Sequence, residues 1–466
     1  MSNPLAVPRS PALEPADQGS AYLRALADRV LVFDGAMGTN IQLHHPTPED
    51  FGGKALEGCN DHLVLTRPDI IQSIHESFLA VGCDVVETCT FQSTPHRLRE
   101  WGIEEKTREL NVAAARLARA ACDKYATPEK PRFVAGSIGP TGLLLSSNDP
   151  VLSNTTFAEL EENYYTQAKY LVEGGVDVLL VETAQDILEV KAAIAGFERL
   201  FAEIGRRVAI QAQVTLDTSG RMLLGTDIAS AMTTLEALRI DVIGLNCSTG
   251  PEHMREPIRY LASNSSRPVS CIPNAGLPLN TGTGDAVYPL EPAPMAEMLG
   301  EFVEQFGVRI VGGCCGTRPE HLAAIARHPS VASATGGPAV RGEGPAAGTS
   351  HQARTIGPPA LGPEDDCSTP GSRHGSRVPR ASSAMRATDF EQNPKPLLIG
   401  ERVNAQGSRK VKRLLLAEDY EAIGDVAREQ VESGAHVLDV CVAVTERADE
   451  AEQMAKVVKL ISMTVE

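Results

Sequence analysis

The sequence predicts an α/β protein built on a closed (β/α)8 barrel, followed by a linker and the beginning of a second β/α barrel. Two observations lead to this prediction. Between about residues 29 and 328, short apolar runs alternate with longer amphipathic segments, which is typical of parallel β-α units. The runs number eight and are apolar almost throughout, as expected for strands that are covered on both faces.

The apolar runs are the predicted strands, and the segments between them are predicted helices. In chain order the strands are 30–34, 84–88, 133–137, 178–182, 208–214, 242–246, 269–272 and 309–313. The clearest helices cover 68–81, 106–124, 157–173 and 187–203. Eight such units in about 300 residues match a closed TIM barrel. An open, doubly wound sheet is the alternative that the pattern leaves.

The predicted domain boundaries follow changes in composition. Residues 1–24 contain no long apolar stretch and are expected to be a disordered leader, and residues 25–328 form the barrel. Residues 329–396 are rich in Gly, Pro, Ala and Ser, which predicts a disordered linker. Residues 397–466 hold only two β-α units. We therefore expect an incomplete second barrel, from a gene fragment, a split gene or a truncated record.

Composition and charge narrow the function classes. The formal net charge of −17 argues against a nucleic-acid partner, because such a partner needs basic patches. No apolar run reaches the length of about 18 residues that a membrane span requires. With no export signal, the expected location is cytoplasmic, and the ten cysteines are expected to be thiols rather than disulfides. Clustered cysteines in that setting suggest a metal site or catalysis.

Three cysteines follow predicted strands at the end where the catalytic groups of a parallel barrel lie. Cys247 follows strand six, and Cys314 and Cys315 follow strand eight in a glycine-flanked turn. Three thiolates with a fourth position open describe a catalytic zinc site rather than a closed structural one. A thiol that enters the open position would lose its proton to become a nucleophile, which suits alkyl transfer to sulfur.

The same strand ends offer groups for the charged ends of an amino-acid thiol. Asp34 and Glu182 could hold an ammonium group. The backbone N–H groups of Gly35 and Ala36 could receive a carboxylate, since glycine permits close approach. Glu87, at the end of strand two, is balanced between lining the site and hydrogen bonding to the scaffold.

Together these segments resemble the homocysteine S-methyltransferase family. The motifs that carry the resemblance are VFDGAMGT (32–39), VETCTF (86–91), LLVET (179–183), GLNCS (244–248), PNAGLP (273–278) and VGGCCGT (311–317). They lie in the family's order and span nearly all of residues 25–328. The resemblance implies a (β/α)8 barrel with zinc ligands at Cys247, Cys314 and Cys315. The implied homocysteine-binding residues are Asp34, Gly35, Ala36 and Glu182, with Asn274 close to the metal.

The carboxyl-terminal segment resembles the start of the pterin-binding barrel of cobalamin-dependent methionine synthases. LLIGERVNAQGSRK (397–410) and GAHVLDV (434–440) carry this resemblance. It implies that Glu401, Asn404 and Asp439 contact methyltetrahydrofolate. Many relatives have Asp-x-Asn where this chain has Asp439-Val440-Cys441, so part of the folate contact set is expected to differ.

The implied function is methylation of zinc-bound homocysteine to methionine. The methyl group would come from methylcobalamin and ultimately from 5-methyltetrahydrofolate. Because the sequence contains no cobalamin-binding motif, cobalamin is expected from a module in trans or from a missing carboxyl-terminal region. Three alternatives stay open: a cobalamin-independent homocysteine S-methyltransferase that uses S-methylmethionine, a non-catalytic homocysteine- and zinc-binding subunit of a split enzyme, and a structural zinc protein.

Overall fold

The computed structural model describes residues 20–147, 149–280, 286–333, 379–392 and 394–465. Most of the predicted leader and the middle of the predicted linker therefore lie outside the described residues. Three elements lie at least partly inside these predicted disordered segments: helices at Ala21–Asp28 and Pro329–Ala332, and a β-hairpin. A helix begins at Ala21, because the Ser20 side chain caps it by accepting from the Leu23 amide. A β-hairpin lies between residues 380 and 389.

Strands and helices alternate through the barrel, as the sequence predicts. The strands are β1 (Leu31–Val32), β2 (Val85–Glu87), β3 (Phe133–Ile138), β4 (Val178–Ala184), β5 (Ala209–Val214), β6 (Val242–Asn246), β7 (Val269–Ile272), β8 (Leu279–Asn280), β9 (Ala286–Val287), β10 (Ile310–Val311), β11 (Arg380–Ser382), β12 (Ala387–Asp389), β13 (Ile399–Asn404) and β14 (Val437–Cys441). The α-helices are α1 (Ala21–Asp28), α2 (Met37–Gln42), α3 (Leu63–Thr66), α4 (Pro68–Ala80), α5 (Pro95–Glu100), α6 (Thr107–Tyr125), α7 (Phe157–Gly174), α8 (Ile187–Ile204), α9 (Ile228–Glu236), α10 (Pro251–Asn264), α11 (Pro292–Glu301), α12 (Pro319–Arg327), α13 (Pro329–Ala332), α14 (Arg409–Leu416), α15 (Tyr420–Glu432) and α16 (Glu450–Thr464). Single turns of 3-10 helix occur at Lys54–Leu56, Asn60–His62 and Glu104–Lys106, and a π-helical turn occurs at Phe302–Phe306.

Eight parallel strands form one sheet in the order β1-β10-β7-β6-β5-β4-β3-β2. A parallel bridge between Phe33 and Val85 joins the two end strands, so the sheet closes on itself. The eighth strand of the barrel is β10, because the short antiparallel hairpin β8–β9 comes before it. The predicted (β/α)8 barrel is confirmed, and the open sheet is excluded.

Alternate strand residues fill the inside of the barrel, and the others pack against the helices. Phe33, Phe133 and Leu180 point inward, in one cluster with side chains of helix α1. Tyr22 of α1 donates from its hydroxyl to Oε1 of Gln211 at 2.7 Å. Helix α1 therefore covers the amino-terminal end of the barrel and leaves the opposite end as the mouth.

Three aspartates stand directly before β2, β4 and β6, and we call them the strand-start aspartates: Asp84, Asp177 and Asp241. Each aspartate forms two hydrogen bonds with one residue of the preceding strand. Its carboxylate accepts from the backbone amide of that residue, and its own backbone amide donates to the carbonyl of that residue. The amide donors are Val32, Val134 and Ile210, at 3.0, 2.8 and 2.8 Å. Arginine side chains pair with all three, at the end of the barrel opposite the mouth.

The remaining described residues form the β11–β12 hairpin and a smaller unit. The hairpin lies on the barrel, where the Arg380 guanidinium donates to the Tyr260 hydroxyl at 3.1 Å. Residues 394–465, which we call the second unit, contain the parallel pair β13–β14 and helices α14 to α16 around a small core. No helix in the described ranges is long and apolar enough to cross a membrane.

Candidate metal and substrate site

A cavity of about 460 Å³ opens at the carboxyl ends of the barrel strands. Residues at or just beyond the carboxyl ends of β1, β2, β3, β4, β6, β7 and β10 line it, together with the loop 58–61. The lining includes Gly35, Glu87, Glu182, Cys247, Cys314 and Cys315. This is the end at which the active sites of such barrels lie.

Three cysteine sulfurs meet in this cavity. The Sγ atom of Cys315 lies 3.8 Å from that of Cys247 and 4.0 Å from that of Cys314, and all three lie within 4.8 Å of one another. In a tetrahedral zinc site with Zn–S bonds of about 2.3 Å, the sulfurs are about 3.8 Å apart. The three cysteines therefore fit one zinc ion and leave one position of the tetrahedron without a cysteine.

The loop after β7 shapes the turn that carries Cys314 and Cys315. The Cys314 amide donates to the Pro273 carbonyl at 2.7 Å, and the Cys315 amide donates to Oδ1 of Asn274 at 3.0 Å. A β-carbon on Gly313 would lie 2.3 Å from the Thr317 side chain, so only glycine fits there. Asn274 thus holds the cysteine turn, and it is absent from the residues that line the cavity.

Left-handed backbone brings Cys247 into the site. Cys247 and Ser248, after β6, have φ of 60° and 64°, and Thr183, in β4, has φ of 54°. Such conformations cost energy in residues other than glycine and concentrate at functional sites. The Asn246 side chain supports the bend, because its Oδ1 accepts from the Thr183 amide at 2.7 Å.

The sulfurs share their charge unevenly. The thiols of Cys247 and Cys314 donate hydrogen bonds to Cys315, which lowers the pKa of Cys315 below that of a free thiol. Hydrogen bonding within the trio and burial raise the pKa of Cys314. The trio by itself therefore favours a single thiolate, and a second or third negative charge needs a cation beside it.

Three carboxyl groups lie beside the cysteines: Asp34 and Glu182 are buried, and Glu87 is half-buried. The Glu182 carboxylate accepts from the Ser137 hydroxyl at 2.5 Å and from the Asn246 amide at 3.0 Å. Asp34 accepts from the Glu87 backbone amide at 3.0 Å. Burial raises the pKa of all three, that of Glu182 to about 7. An ammonium group would supply the positive charge that this cluster lacks.

The structure brings the predicted substrate residues together with two differences. Asp34 lies behind the cavity rather than in its lining; its Oδ1 is buried and has no hydrogen-bond partner among the described residues. The Ala36 amide donates to the Thr317 carbonyl at 3.3 Å, so this N–H already has a partner, and carboxylate binding at Gly35 and Ala36 stays a prediction. The neighbouring carbonyl competes for the Ala36 N–H, which the motif alone does not show.

Glu87 and two supporting side chains complete the site beyond the predicted set. The sequence leaves two roles open for Glu87, lining the site or hydrogen bonding to the scaffold. In the structure Glu87 lines the cavity. Ser137 and Asn246 hold Glu182 and were not predicted as site residues. The signal was present, since both are polar residues at the carboxyl ends of buried strands.

The predicted folate residues lie in the second unit. Asn404 donates from its side chain to Oδ2 of Asp439 at 2.8 Å, so these two residues meet at the carboxyl ends of β13 and β14. Glu401 is exposed. Their contact with a folate stays a prediction.

The model of the homocysteine S-methyltransferase family matches residues 31–328, which is more than half of the chain. The chain belongs to the homocysteine S-methyltransferase family. The model of the pterin-binding enzymes matches residues 400–466. This homocysteine S-methyltransferase family member thus combines a family barrel with a segment similar to pterin-binding enzymes.

Two curated relatives are similar along almost the whole chain. It is 39% identical over 442 residues to a methionine synthase of Mycobacterium leprae, covering 95% of this chain. It is 39% identical over 433 residues to a methionine synthase of Mycobacterium tuberculosis, covering 93% of this chain. The family member described here spans about a third of the length of both relatives, 33% in each case.

Solved structures with the same fold include the homocysteine methyltransferase MmuM from Escherichia coli. Its metallated form aligns with a TM-score of 0.53 at 22% identity, covering 65% of this chain and 98% of that one. Its oxidised form aligns with a TM-score of 0.51 at 22% identity, covering 64% and 94%. At this identity the likeness supports the barrel fold alone.

Proposed function

We propose that this chain binds zinc and homocysteine in the barrel mouth and methylates the homocysteine sulfur to give methionine. The methyl donor in this proposal is methylcobalamin, recharged ultimately from 5-methyltetrahydrofolate. The observation that carries the proposal is the convergence of three cysteine sulfurs, within 4.8 Å of one another, in a cavity that is also lined by carboxylates. Membership of the homocysteine S-methyltransferase family supports the same activity.

Cys247, Cys314 and Cys315 would hold the zinc ion. When bound, such an ion supplies the positive charge that keeps a coordinated thiol ionised at neutral pH, where a free thiol with a pKa of about 8.5 is mostly protonated. The hydrogen bonds that the Cys314 and Cys315 amides donate to Pro273 and Asn274 fix the cysteine turn before any ligand arrives. Preorganised ligands of this kind are what a catalytic metal site requires.

Glu182, Glu87 and Asp34 would bind the homocysteine ammonium group. Their carboxyl groups have no cationic partner in the described site, and Asp34 keeps an oxygen without a partner. The Gly35 and Ala36 amides are the candidates for the substrate carboxylate. Glu87 and Glu182 line the same cavity as the cysteines, so these contacts would place the thiol of the amino acid toward the sulfurs.

The second unit would contribute to folate binding through Glu401, Asn404 and Asp439, and the cobalamin would be presented by a further module. The proposed folate site is supported by the hydrogen bond between Asn404 and Asp439, which places both side chains at the carboxyl ends of β13 and β14. The similarity of residues 400–466 to pterin-binding enzymes supports it as well.

Methyl transfer by this chain alone tests the proposal. The chain is loaded with zinc under reducing conditions and given homocysteine with one of three donors: free methylcobalamin, S-methylmethionine or 5-methyltetrahydrofolate. We expect methionine with methylcobalamin only. Methionine is measured directly by mass spectrometry, and a zinc-free sample serves as the control.

Each other outcome has a defined meaning. Turnover with S-methylmethionine but not with methylcobalamin would replace the proposal by a cobalamin-independent methyltransferase. Homocysteine binding without turnover from any donor would indicate a non-catalytic binding subunit. A metal ion that cannot accept homocysteine as a further ligand would indicate a structural zinc site.

A further inference from the structure

The cavity is lined by one more carboxylate, that of Asp61, which the proposed function does not use. Asp61 belongs to the 3-10 turn Asn60–His62, and it is only 6% exposed. Burial of a carboxylate is costly unless hydrogen bonds compensate for the lost water. The contacts of Asp61 therefore indicate what its burial achieves.

Asp61 ties its own turn to residues 88–93, which we call the β2 extension. Its Oδ2 accepts from the Gln92 backbone amide at 2.8 Å and from the Ser93 hydroxyl at 2.7 Å. The Asn111 side chain of α6 donates to the Ser93 carbonyl at 2.9 Å, so this end of the extension also rests on a helix. Both the turn and the β2 extension contribute to the cavity lining.

The other end of the β2 extension is tied to the carboxyl groups of the proposed ammonium site. Glu87, the last residue of β2, lies directly before it. The Thr88 hydroxyl accepts from the Ser137 amide at 3.0 Å, and the Thr90 hydroxyl donates to the Ser137 carbonyl at 2.7 Å. The Ser137 hydroxyl in turn donates to Glu182. One end of the extension is therefore anchored beside the ammonium site, and its other end is fixed by the aspartate.

We infer that Asp61 is a positioning residue for homocysteine, because it joins its turn to the β2 extension and so holds this part of the cavity wall, and Glu87 with it, in place for the substrate. The inference rests on the proposed function, since it assumes that homocysteine occupies the cavity. A wall that is locked in advance spares the substrate the cost of ordering it. Loosening this wall weakens substrate binding, whereas the three cysteines follow other strands and keep their zinc.

Titration of the zinc-loaded full chain with homocysteine tests the inference. Asp61→Ala removes both hydrogen bonds and should raise the homocysteine Kd by about 10-fold, with zinc affinity unchanged. Asp61→Asn keeps an oxygen that can accept from Gln92 and Ser93, so it should bind homocysteine more tightly than the Ala variant does. Isothermal titration calorimetry measures the Kd, and competition with a chromophoric chelator measures zinc affinity.

Asp186→Ala is the matched control. Asp186 is 2% exposed, and its carboxylate also accepts from a backbone amide at 2.8 Å and from a serine hydroxyl at 2.7 Å, both of Ser146 in the loop after β3. It also caps α8, so its replacement costs stability as well. Because Asp186 is not among the described residues that line the cavity, the homocysteine Kd of this variant should match that of the unaltered chain.

If circular dichroism shows that Asp61→Ala does not fold, Ser93→Ala carries the test, because it removes only one of the two hydrogen bonds. We expect it to raise the homocysteine Kd by about threefold. An unchanged Kd in the folded Asp61→Ala variant, or in Ser93→Ala when it takes that place, overturns the inference and leaves the proposed function intact.

Two further results would also overturn the positioning role. If Asp61→Asn binds homocysteine as weakly as Asp61→Ala, the negative charge itself binds the substrate. If Asp186→Ala weakens binding as much as Asp61→Ala, the loss reflects general loosening of the barrel. Failure of the unaltered zinc-loaded chain to bind homocysteine overturns the proposed function and this inference with it.

Discussion

The barrel and the second unit begin their strands in the same way but bury them differently. In the barrel, each strand-start aspartate exchanges two hydrogen bonds with one residue of the preceding strand. In the second unit, His436 stands directly before β14 and does the same with Leu398: its amide donates to the Leu398 carbonyl, and its Nδ1 accepts from the Leu398 amide, both at 2.9 Å.

The difference lies in what surrounds the strands. Every residue of β3, β5, β6 and β7 is buried. In β13 only Val403 is buried, Ile399 is 57% exposed, and no residue of β14 is fully buried. A local side chain can start a strand pair, but burial on both faces needs a closed sheet with helices around it. The barrel therefore holds its polar side chains rigidly at the mouth, whereas the second unit leaves Asn404 and Asp439 partly exposed.

The largest expected effect concerns zinc binding by the three cysteines, which the barrel has and the second unit lacks. Changing Cys247, Cys314 or Cys315 to Ala, one at a time, should abolish zinc binding and methionine formation, because two sulfurs no longer complete the site. We expect a loss of zinc affinity of at least about 100-fold, measured by competition with a chromophoric chelator.

Cys441→Ala is the matched control for this prediction. Cys441 is a free, partly buried thiol at the end of β14, in the second unit. Its replacement should leave zinc affinity unchanged. Retained methylcobalamin-dependent turnover in any of the three barrel variants would contradict the proposed mechanism.

The fold of the barrel was predictable because its sequence signals are local and repeated. The eight apolar runs each overlap an observed strand, and the eighth run at 309–313 contains β10 (Ile310–Val311). The convergence of Cys247 with the adjacent pair at 314 and 315 followed from the rule that the ends of parallel strands meet at one mouth.

What the sequence did not reveal depends on contacts between segments far apart in the chain. The position of Asp34 behind Glu87 results from a backbone amide 53 residues away. Tyr288 has no motif or periodicity of its own, yet its ring packs on Gly316 in the cysteine turn. The hairpin β11–β12 lies in a segment whose composition predicts disorder; a surface of the barrel, including Tyr260, supplies its partners.

The next largest effect is expected at a strand-start aspartate. Asp84 is 2% exposed and pairs with Arg132, whose side chain is 8% exposed, at 3.0 Å. Asp84→Ala removes a carboxylate that pairs with the buried Arg132 guanidinium, and it leaves the Val32 amide without its acceptor. We therefore expect the free energy of unfolding to fall by about 3–5 kcal/mol. Urea denaturation followed by circular dichroism measures this loss.

Asp84→Asn separates the two contributions. It keeps an oxygen for the Val32 amide and removes the charge that faces Arg132. We expect it to destabilise the barrel less than Ala does. An Ala variant as stable as the unaltered chain would show that the shared strand start contributes nothing to the barrel.

A third prediction uses the buried ionisable groups of the barrel, since the described residues of the second unit bury none. His75 in α4 is fully buried, and burial lowers its pKa to about 4. As the pH falls, the histidine takes up a proton in the unfolded chain, where its pKa is about 6.5, before it does so in the folded protein. Stability therefore falls as pH decreases from about 6.5 to 4. The loss attributable to His75 approaches about 3 kcal/mol.

His75→Leu tests this assignment by urea denaturation at pH 7 and pH 4.5. The variant cannot take up the proton, so its stability should decrease less over this range than that of the unaltered chain. Equal decreases in the two proteins would remove His75 as the source.

A smaller effect is expected for homocysteine binding. Asp34→Ala or Glu182→Ala should weaken homocysteine binding by roughly 10- to 100-fold, because each removes a charged hydrogen-bond acceptor from the proposed ammonium site. Zinc affinity should be spared. Isothermal titration of the zinc-loaded chain with homocysteine measures the change.

Glu401→Ala in the second unit is the control for these variants. It removes a carboxylate from an exposed position in β13 and should leave homocysteine affinity unaltered. Unchanged affinity in both barrel variants would refute the ammonium assignment and place the substrate elsewhere in the cavity.

The smallest effect tests whether the two regions really share one way of starting a strand. His436→Asp installs the barrel's residue in the second unit, where the Leu398 amide would donate to a carboxylate instead of to Nδ1. Because Leu398 is 46% exposed, we expect a gain of less than about 1 kcal/mol, and His436→Ala should lose about 1 kcal/mol with its acceptor. Amide hydrogen exchange at Leu398 reports on the bond itself: protection should persist in the Asp variant and fall in the Ala variant. If the Leu398 amide loses protection in the His436→Asp variant as it does in the His436→Ala variant, then the imidazole acts through its ring contacts. The likeness of His436 to the strand-start aspartates is then only geometric.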